Sequence, residues 1–254
     1  MSATRDAMSY LVYCVLGAKR REPPRRLRFL GYPRASIMVR TRELGAVASE
    51  TSLADLAHDV ARLLAYSKVV DCYNRDRTVI PMRYGCVLEA LRDIKRLLED
   101  HRREYLDLLA QLDGHAEMSA RVVLNQCAPL SHRRMNPPPL AGYSGGHGDR
   151  PGIAYLTRRS RYYVCHDALE HQLEDIRTAI CGLAQGTFVR YASDYREDRG
   201  KGVLALHFLV SRDGIDQFKK ALRPLTTRAA TSITITGPWP PYNFVRSPGA
   251  RSAA

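Results

Sequence analysis

The chain has 254 residues, of which 45% are hydrophobic, and a formal net charge of +13. This is enough apolar sequence for one large or two ordinary globular domains, while no apolar run approaches the ~20 residues of a membrane-spanning helix. The basic balance raises nucleic acid as a partner. The cations are dispersed, however: Lys19, Arg20, Arg21, Arg25, Arg26 and Arg28 share one proline-containing loop, Arg158, Arg159 and Arg161 open a helix, and Arg246 and Arg251 lie near the end.

In chain order, residues 9–16 read as a buried strand. The apolar stretch 10–18 is not read as a signal segment, because Arg20-Arg21 follow it without a small-residue cleavage pattern. After the basic loop 17–34, Ser36 to Arg40 and Leu44 to Ser49 form a second and third strand. Ser52 is expected to cap a helix that places Leu53, Leu56, Ala57, Val60, Leu63 and Leu64 on one face. Thr78 to Met82 is a strand ending at proline. Leu88, Leu91, Ile94, Leu98, Tyr105, Leu108, Leu109 and Leu112 mark one long amphipathic helix, stopped by Asp113-Gly114. Its other positions mix Arg92, Lys95, Arg96 and Arg103 with Asp93, Glu99, Asp100 and Glu104, the pattern of a solvated face. Glu117 to Leu124 alternates like the closing strand of this first half.

Residues 128–151 hold Pro137-Pro138-Pro139 and several glycines without periodicity, and are expected to be a flexible linker. A long helix over 152–184 then carries Leu169, Leu173, Ile176, Ile180 and Leu183 in one seam. Thr187 to Ala192 and Val203 to Val210 form a hairpin. Ser211 precedes a short helix with Ile215, Phe218 and Leu222 on one side, and Ser232 to Thr236 is the last strand. The expected architecture is α+β: two sandwiches, each a mostly antiparallel sheet covered by helices. Its parts are an N-terminal domain (1–127), the linker (128–151), a C-terminal domain (152–236) and a Pro-rich tail (237–254).

No constellation for chemistry emerges. Gly142-Tyr143-Ser144-Gly145-Gly146 matches the nucleophile-elbow pattern, but it sits in the linker without the strand that would expose the serine. His166 and His171 are too far apart to share a helix face, and no His, Cys or acidic set has metal-ligand spacing. The cysteines Cys14, Cys72, Cys86, Cys127, Cys165 and Cys181 form no CxxC pair and read as reduced, cytosolic, mostly core residues. No phosphate-binding loop follows a strand. No catalytic, metal or cofactor residues are therefore assigned. Lys201 to Phe208 partly resembles the RNA-stacking strand of an RNA-recognition domain, but Val203 and Ala205 stand where aromatics would stack on bases.

The most distinctive segment is Gly237-Pro238-Trp239-Pro240-Pro241-Tyr242-Asn243-Phe244, which contains the only tryptophan. Its prolines remove backbone donors and fix φ, so a stiff extended coil is expected, neither helix nor central strand. Trp239, Tyr242 and Phe244 are expected to pack onto the protein itself and brace its C-terminal half. A second marked stretch is Thr78-Val79-Ile80-Pro81-Met82-Arg83-Tyr84-Gly85-Cys86-Val87. Arg83 there reads as a clamp on carboxylates or carbonyls.

Both stretches resemble signatures of the gas vesicle accessory proteins of the F/L family. Tyr84 stands where that family usually has Phe, and Met82 where it usually has Leu. Tyr10-Leu11-Val12-Tyr13 and Leu44-Gly45-Ala46-Val47-Ala48-Ser49 are similar to two further strands of the family, and the resemblance spans roughly residues 9 to 245 in order. It implies an α+β N-terminal domain, a ferredoxin-like C-terminal domain with a long helix, and no enzymatic activity. It also implies a cytoplasmic, gas-vesicle-associated role: assisting assembly by contacting the small hydrophobic shell protein and other gas vesicle accessory proteins. Pro81, Arg83, Gly85, Gly237, Pro238, Trp239, Pro240, Pro241, Tyr242 and Phe244 are the motif residues so marked. The alternative is a basic, ferredoxin-like nucleic-acid-binding module, whose binding would fall steeply with salt.

Overall fold

The structure, a computed structural model, describes residues 9–18, 36–52, 59–124, 170–198, 201–226 and 232–245. Strand β1 (Ser9–Gly17) is buried at nearly every position, the pattern of a strand covered on both faces. It is central in a sheet with β2 (Ile37–Arg40), β3 (Leu44–Thr51), β4 (Val79–Pro81) and β5 (Val87–Leu88). The order is β2-β3-β1-β4, with β5 also alongside β1, and every pairing is antiparallel. Helix α1 (Val60–Asn74) covers one face, setting Tyr66, Val69, Val70 and Tyr73 against Leu11, Tyr13, Cys14 and Leu16. Helices α2 (Leu91–Asp100) and α3 (Arg102–Leu112) cover the other. There Ile94, Leu98, Tyr105 and Leu112 join Val12, Val15, Ala46 and Ala48 in one core.

A bulge in β1 sorts side chains between these layers. The register slips between Val12 and Cys14, so the consecutive residues Tyr13 and Cys14 both join the α1 side. A regular strand would send one to each face. Tyr66 of α1 fills the interrupted ladder. Its hydroxyl lies 2.7 Å from the Met82 carbonyl, 3.1 Å from that of Tyr13 and 3.2 Å from that of Val12, and its ring stacks on Tyr13 at 5.0 Å. Burial raises the Tyr66 pKa far above the ordinary tyrosine value, so the group stays a donor toward carbonyls that need one.

The second sheet comprises β6 (His115–Leu124), β7 (Arg190–Asp198), β8 (Lys201–Ser211) and β9 (Ser232–Trp239), antiparallel throughout in the order β7-β8-β6-β9. Alternate residues point to one face: Met118, Ala120 and Val122 from β6, and Leu204, Leu206 and Phe208 from β8. Leu173, Ile176 and Ile180 of helix α4 (170–183) and Phe218 and Leu222 of helix α5 (Ile215–Thr226) close that core. The opposite face carries Ser119, Arg121, Ala205 and His207 in register. Val203 and Ala205 therefore lie where an RNA-recognition sheet presents stacking aromatics, and they offer none.

Several expectations are corrected. The strand at 117–124 does not close the first half; it is central in the second sheet, because alternation identifies a strand without naming its partners. Helix α1 begins at Val60 behind an extended Asp59, whose side chain accepts from the Ala61 amide at 3.1 Å, while Leu53, Leu56 and Ala57 of the helix expected behind Ser52 lie outside the described residues. Its buried stripe is Tyr66, Val69, Val70 and Tyr73, while Val60, Leu63 and Leu64 are exposed. The long helix expected over 88–112 is two helices, broken at His101 (φ −105°, ψ 19°), and Leu88 belongs to β5. The last strand runs past Thr236 through Pro238 to Trp239, which proline permits because β9 is an edge strand. The expected linker (128–151), the first part of the helix at 152–184, the serine pattern at 142–146, Cys127, Cys165 and residues 246–254 lie outside the described residues.

Two tyrosines separate hydroxyls that matter from those that do not. Tyr66→Phe leaves the Met82 carbonyl without its hydroxyl donor and is expected to cost about 1–3 kcal/mol. The Tyr105 hydroxyl is buried with no hydrogen-bond partner among the described residues, and burial pushes its pKa up to about 12. Tyr105→Phe is therefore expected to leave the thermal unfolding midpoint unchanged or raise it. Thermal denaturation of the two variants beside the parent checks both.

Candidate functional site at the joint of the two sheets

The two marked stretches come to one place, where the sheets meet. Pro81 is buried at the end of β4, opposite Cys14. The chain turns through Arg83, Tyr84 and Gly85, and the Cys86 amide donates to the Arg83 carbonyl at 3.1 Å. The turn rejoins β1 across the bulge: the Met82 amide donates to Tyr13 O and the Val12 amide to Cys86 O, each at 2.9 Å. The Tyr84 ring meets Tyr66 edge-on at 5.3 Å. Arg83 is exposed and forms no ion pair among the described residues, so the expected clamp is absent.

The C-terminal motif approaches from the second sheet. Gly237 has φ +120°, and a Cβ there would lie 2.8 Å from the Glu117 carbonyl, so only glycine fits. The Gly237–Pro238 bond is cis. Pro240 and Pro241 are buried, and Tyr242–Phe244 forms a short 3-10 turn. Glu117, 3% exposed, holds this turn: its carboxylate accepts the Asn243 amide at 2.9 Å and the Asn243 side-chain nitrogen at 2.7 Å. Phe244 and Val245 then pack into the core of the first sheet, which also takes Leu209 from β8. The Arg190 guanidinium lies 5.6 Å over the Phe244 ring. The Tyr242 hydroxyl is desolvated beside Asp71, Cys14 and Glu117, which together raise its pKa well above the ordinary tyrosine value.

Not all of the motif is buried. Phe244 packs as expected, but Trp239 is 44% and Tyr242 38% exposed. Trp239 sits at the open end of an edge strand, its indole nitrogen donating to Thr236 Oγ1 at 3.2 Å. The brace is thus Asn243, Phe244 and Val245 rather than the tryptophan.

Sequence reading missed Glu117, Asn243, Tyr66 and Arg212. Arg212 donates to the Asn74 carbonyl (2.7 Å) and side-chain oxygen (3.1 Å), tying the second sheet to the end of α1. A carboxylate between Ala116 and Met118 in an apolar strand was the available signal for Glu117; its partner, far away in sequence, had none. Beside Arg212 lies a cleft of about 570 Å3 lined by Arg75, Asp76, Arg77 and Asp113, whose charges alternate and favour no single-sign ligand.

Ser119, His207 and Glu117 are adjacent, but both oxygens address the same ring nitrogen: Ser119 Oγ at 2.9 Å and Glu117 Oε1 at 3.2 Å from Nδ1. A nucleophilic triad needs the carboxylate and the hydroxyl on opposite nitrogens. Among the described residues no cluster of three or more His, Cys, Asp or Glu can hold a metal, and no helix is long and apolar enough to cross a membrane.

The fold and the site define a class: an α+β protein of two antiparallel sheets whose marked residues meet where the sheets join. The family described as "Gas vesicle synthesis protein GvpL/GvpF" matches residues 9–246, and the chain belongs to it. The chain is 24% identical over 243 residues to gas vesicle protein F of Streptomyces sp. (strain CB03234), covering 94% of this chain and all (100%) of that protein. It is 26% identical over 232 residues to gas vesicle protein L of the same organism, covering 88% and 83% of the two chains. The crystal structure of the gas vesicle protein GvpF from Anabaena sp. PCC7120 superposes with a TM-score of 0.71 at 15% identity, over 97% of this chain and 100% of that one, which shows a shared fold. The protein is thus a gas vesicle accessory protein of the F/L family.

Glu117→Ala removes the acceptor of two hydrogen bonds and is expected to cost about 1.5–3 kcal/mol, as charged acceptors do, with faster amide exchange at Asn243. Hydrogen exchange read by NMR or mass spectrometry checks it. Trp239→Ala, at a half-exposed position, is expected to cost well under the roughly 3–5 kcal/mol of a buried tryptophan, measured by denaturant unfolding.

Proposed function

We propose that the protein assists gas vesicle assembly by binding the small hydrophobic shell protein and keeping it from aggregating. The observation that carries this reading is Trp239, in the family's C-terminal motif but 44% exposed on a segment held by Glu117 through Asn243; Tyr242, its hydroxyl turned into the joint, is read as shaping it. A pre-ordered segment loses little entropy on docking, and exposed aromatics are effective anchors for an apolar partner. Exposed Arg83 is read as a further partner contact, and Pro81, Gly85, Gly237, Pro238, Pro240, Pro241 and Phe244 as residues that shape the joint. Other accessory proteins are further partners, and the place of action is the cytoplasm at the growing vesicle. The strand and helix order β6-α4-β7-β8-α5-β9 supports a ferredoxin-like reading of the second unit, beginning at His115 rather than at 152.

Diluting the shell subunit from denaturant with and without this protein, followed by light scattering, tests the proposal. Suppression at roughly stoichiometric ratios is expected to persist at moderate salt, because apolar burial dominates. Trp239→Ala is expected to weaken it while leaving the fold intact. Suppression that disappears at the salt concentration that also abolishes nucleic-acid binding would leave only nonspecific charge and overturn the reading.

A further inference from the structure

The second sheet has an edge whose geometry suits a copy of itself. β7 is a nine-residue strand at the end of the order β7-β8-β6-β9, and no strand of the described residues lies on its outer side. The other edges are less suited to pairing: β2 has only four residues and β4 three, and β9 carries Pro238, which has no donor. An open edge of this length is a template for another strand.

The side chains of β7 divide cleanly. Tyr195 packs toward the helical core, while Asp194 and Arg196 are exposed on the opposite face of the strand. We propose that β7 pairs antiparallel with β7 of a second copy of this chain about a two-fold axis at Tyr195, so that one sheet continues across both copies. Asp194 of each copy then lies directly opposite Arg196 of the other, twice by symmetry, on the same face, and Ser193 lies opposite Glu197. Centring the axis on Asp194 instead would oppose two carboxylates, which like-charge repulsion disfavours. The order Asp-Tyr-Arg is self-complementary about Tyr195; an axis at Ala192 would instead oppose Asp194 to Arg190, a register the double variant below separates from this one, and charges that complement themselves favour a second copy over a neutral partner strand. The proposal is independent of shell-protein binding, which was assigned to the joint.

Sedimentation equilibrium of the full chain in the tens of micromolar range tests it. The parent is expected to be a dimer. Asp194→Arg places four cations at the axis and is expected to raise the dimer dissociation constant at least about tenfold, with the Tm unchanged because the position is exposed. The double variant Asp194→Arg/Arg196→Asp restores opposite charges and is expected to restore the dimer. A monomeric parent, a dimer indifferent to Asp194→Arg, or a double variant that stays monomeric would each overturn the proposal. An edge occupied by the shell subunit rather than by a second copy would appear as the first of these.

Discussion

The structure turns on a joint of two residues. Leu112, the last residue of α3, is fully buried in the core of the first sheet, and Met118, near the start of β6, is fully buried in the core of the second. Between the helix and the strand stand only Asp113 and Gly114. A helix and a strand anchored in different cores cannot move independently across so short a connection. Gly114 takes φ +69° to make the change of direction, the conformation a side chain would oppose. Its carbonyl accepts the Arg212 amide at 2.9 Å, and Asp113 accepts the Thr78 hydroxyl at 2.7 Å. The joint is thereby bonded to both sheets.

The C-terminal segment acts as a second tie, placed far from the first in sequence but beside it in consequence. Glu117 stands just beyond the joint on β6, and its carboxylate receives Asn243. A buried carboxylate is costly unless its oxygens are hydrogen-bonded, and the returning chain meets that need. Phe244, Val245 and Leu209 then complete the core of the first sheet from the second. The two marked stretches thus meet in this chain: the one at 81–86 bridges the bulge of β1, and the one at 237–244 reaches the region that the bulge and Tyr66 create. Of the larger side chains in these motifs, Arg83 and Trp239 stay exposed outside the joint, whereas Asn243 and the Tyr242 hydroxyl turn into it.

The polar groups buried around the joint are bonded to backbone and to one another: Tyr66 to carbonyls, Glu117 to Asn243, Arg212 to Asn74.

Residue patterns alone determined much of this protein. Apolar runs and strict alternation located β1, β3, β6 and β8; Asp113-Gly114 marked the end of α3; and glycine, proline and aromatics in fixed order identified the family. These are local properties, written into neighbouring residues by backbone geometry and side-chain period. Tertiary structure decided the rest, because it depends on partners distant along the chain. Only pairing with β8 and β9 moved β6 out of the first half and into the second sheet. Only the bulge explains why Tyr13 and Cys14 face the same way. Trp239, the residue most expected to be buried, stays half exposed because β9 is an edge strand, and which strand forms the edge is a fact about the whole sheet.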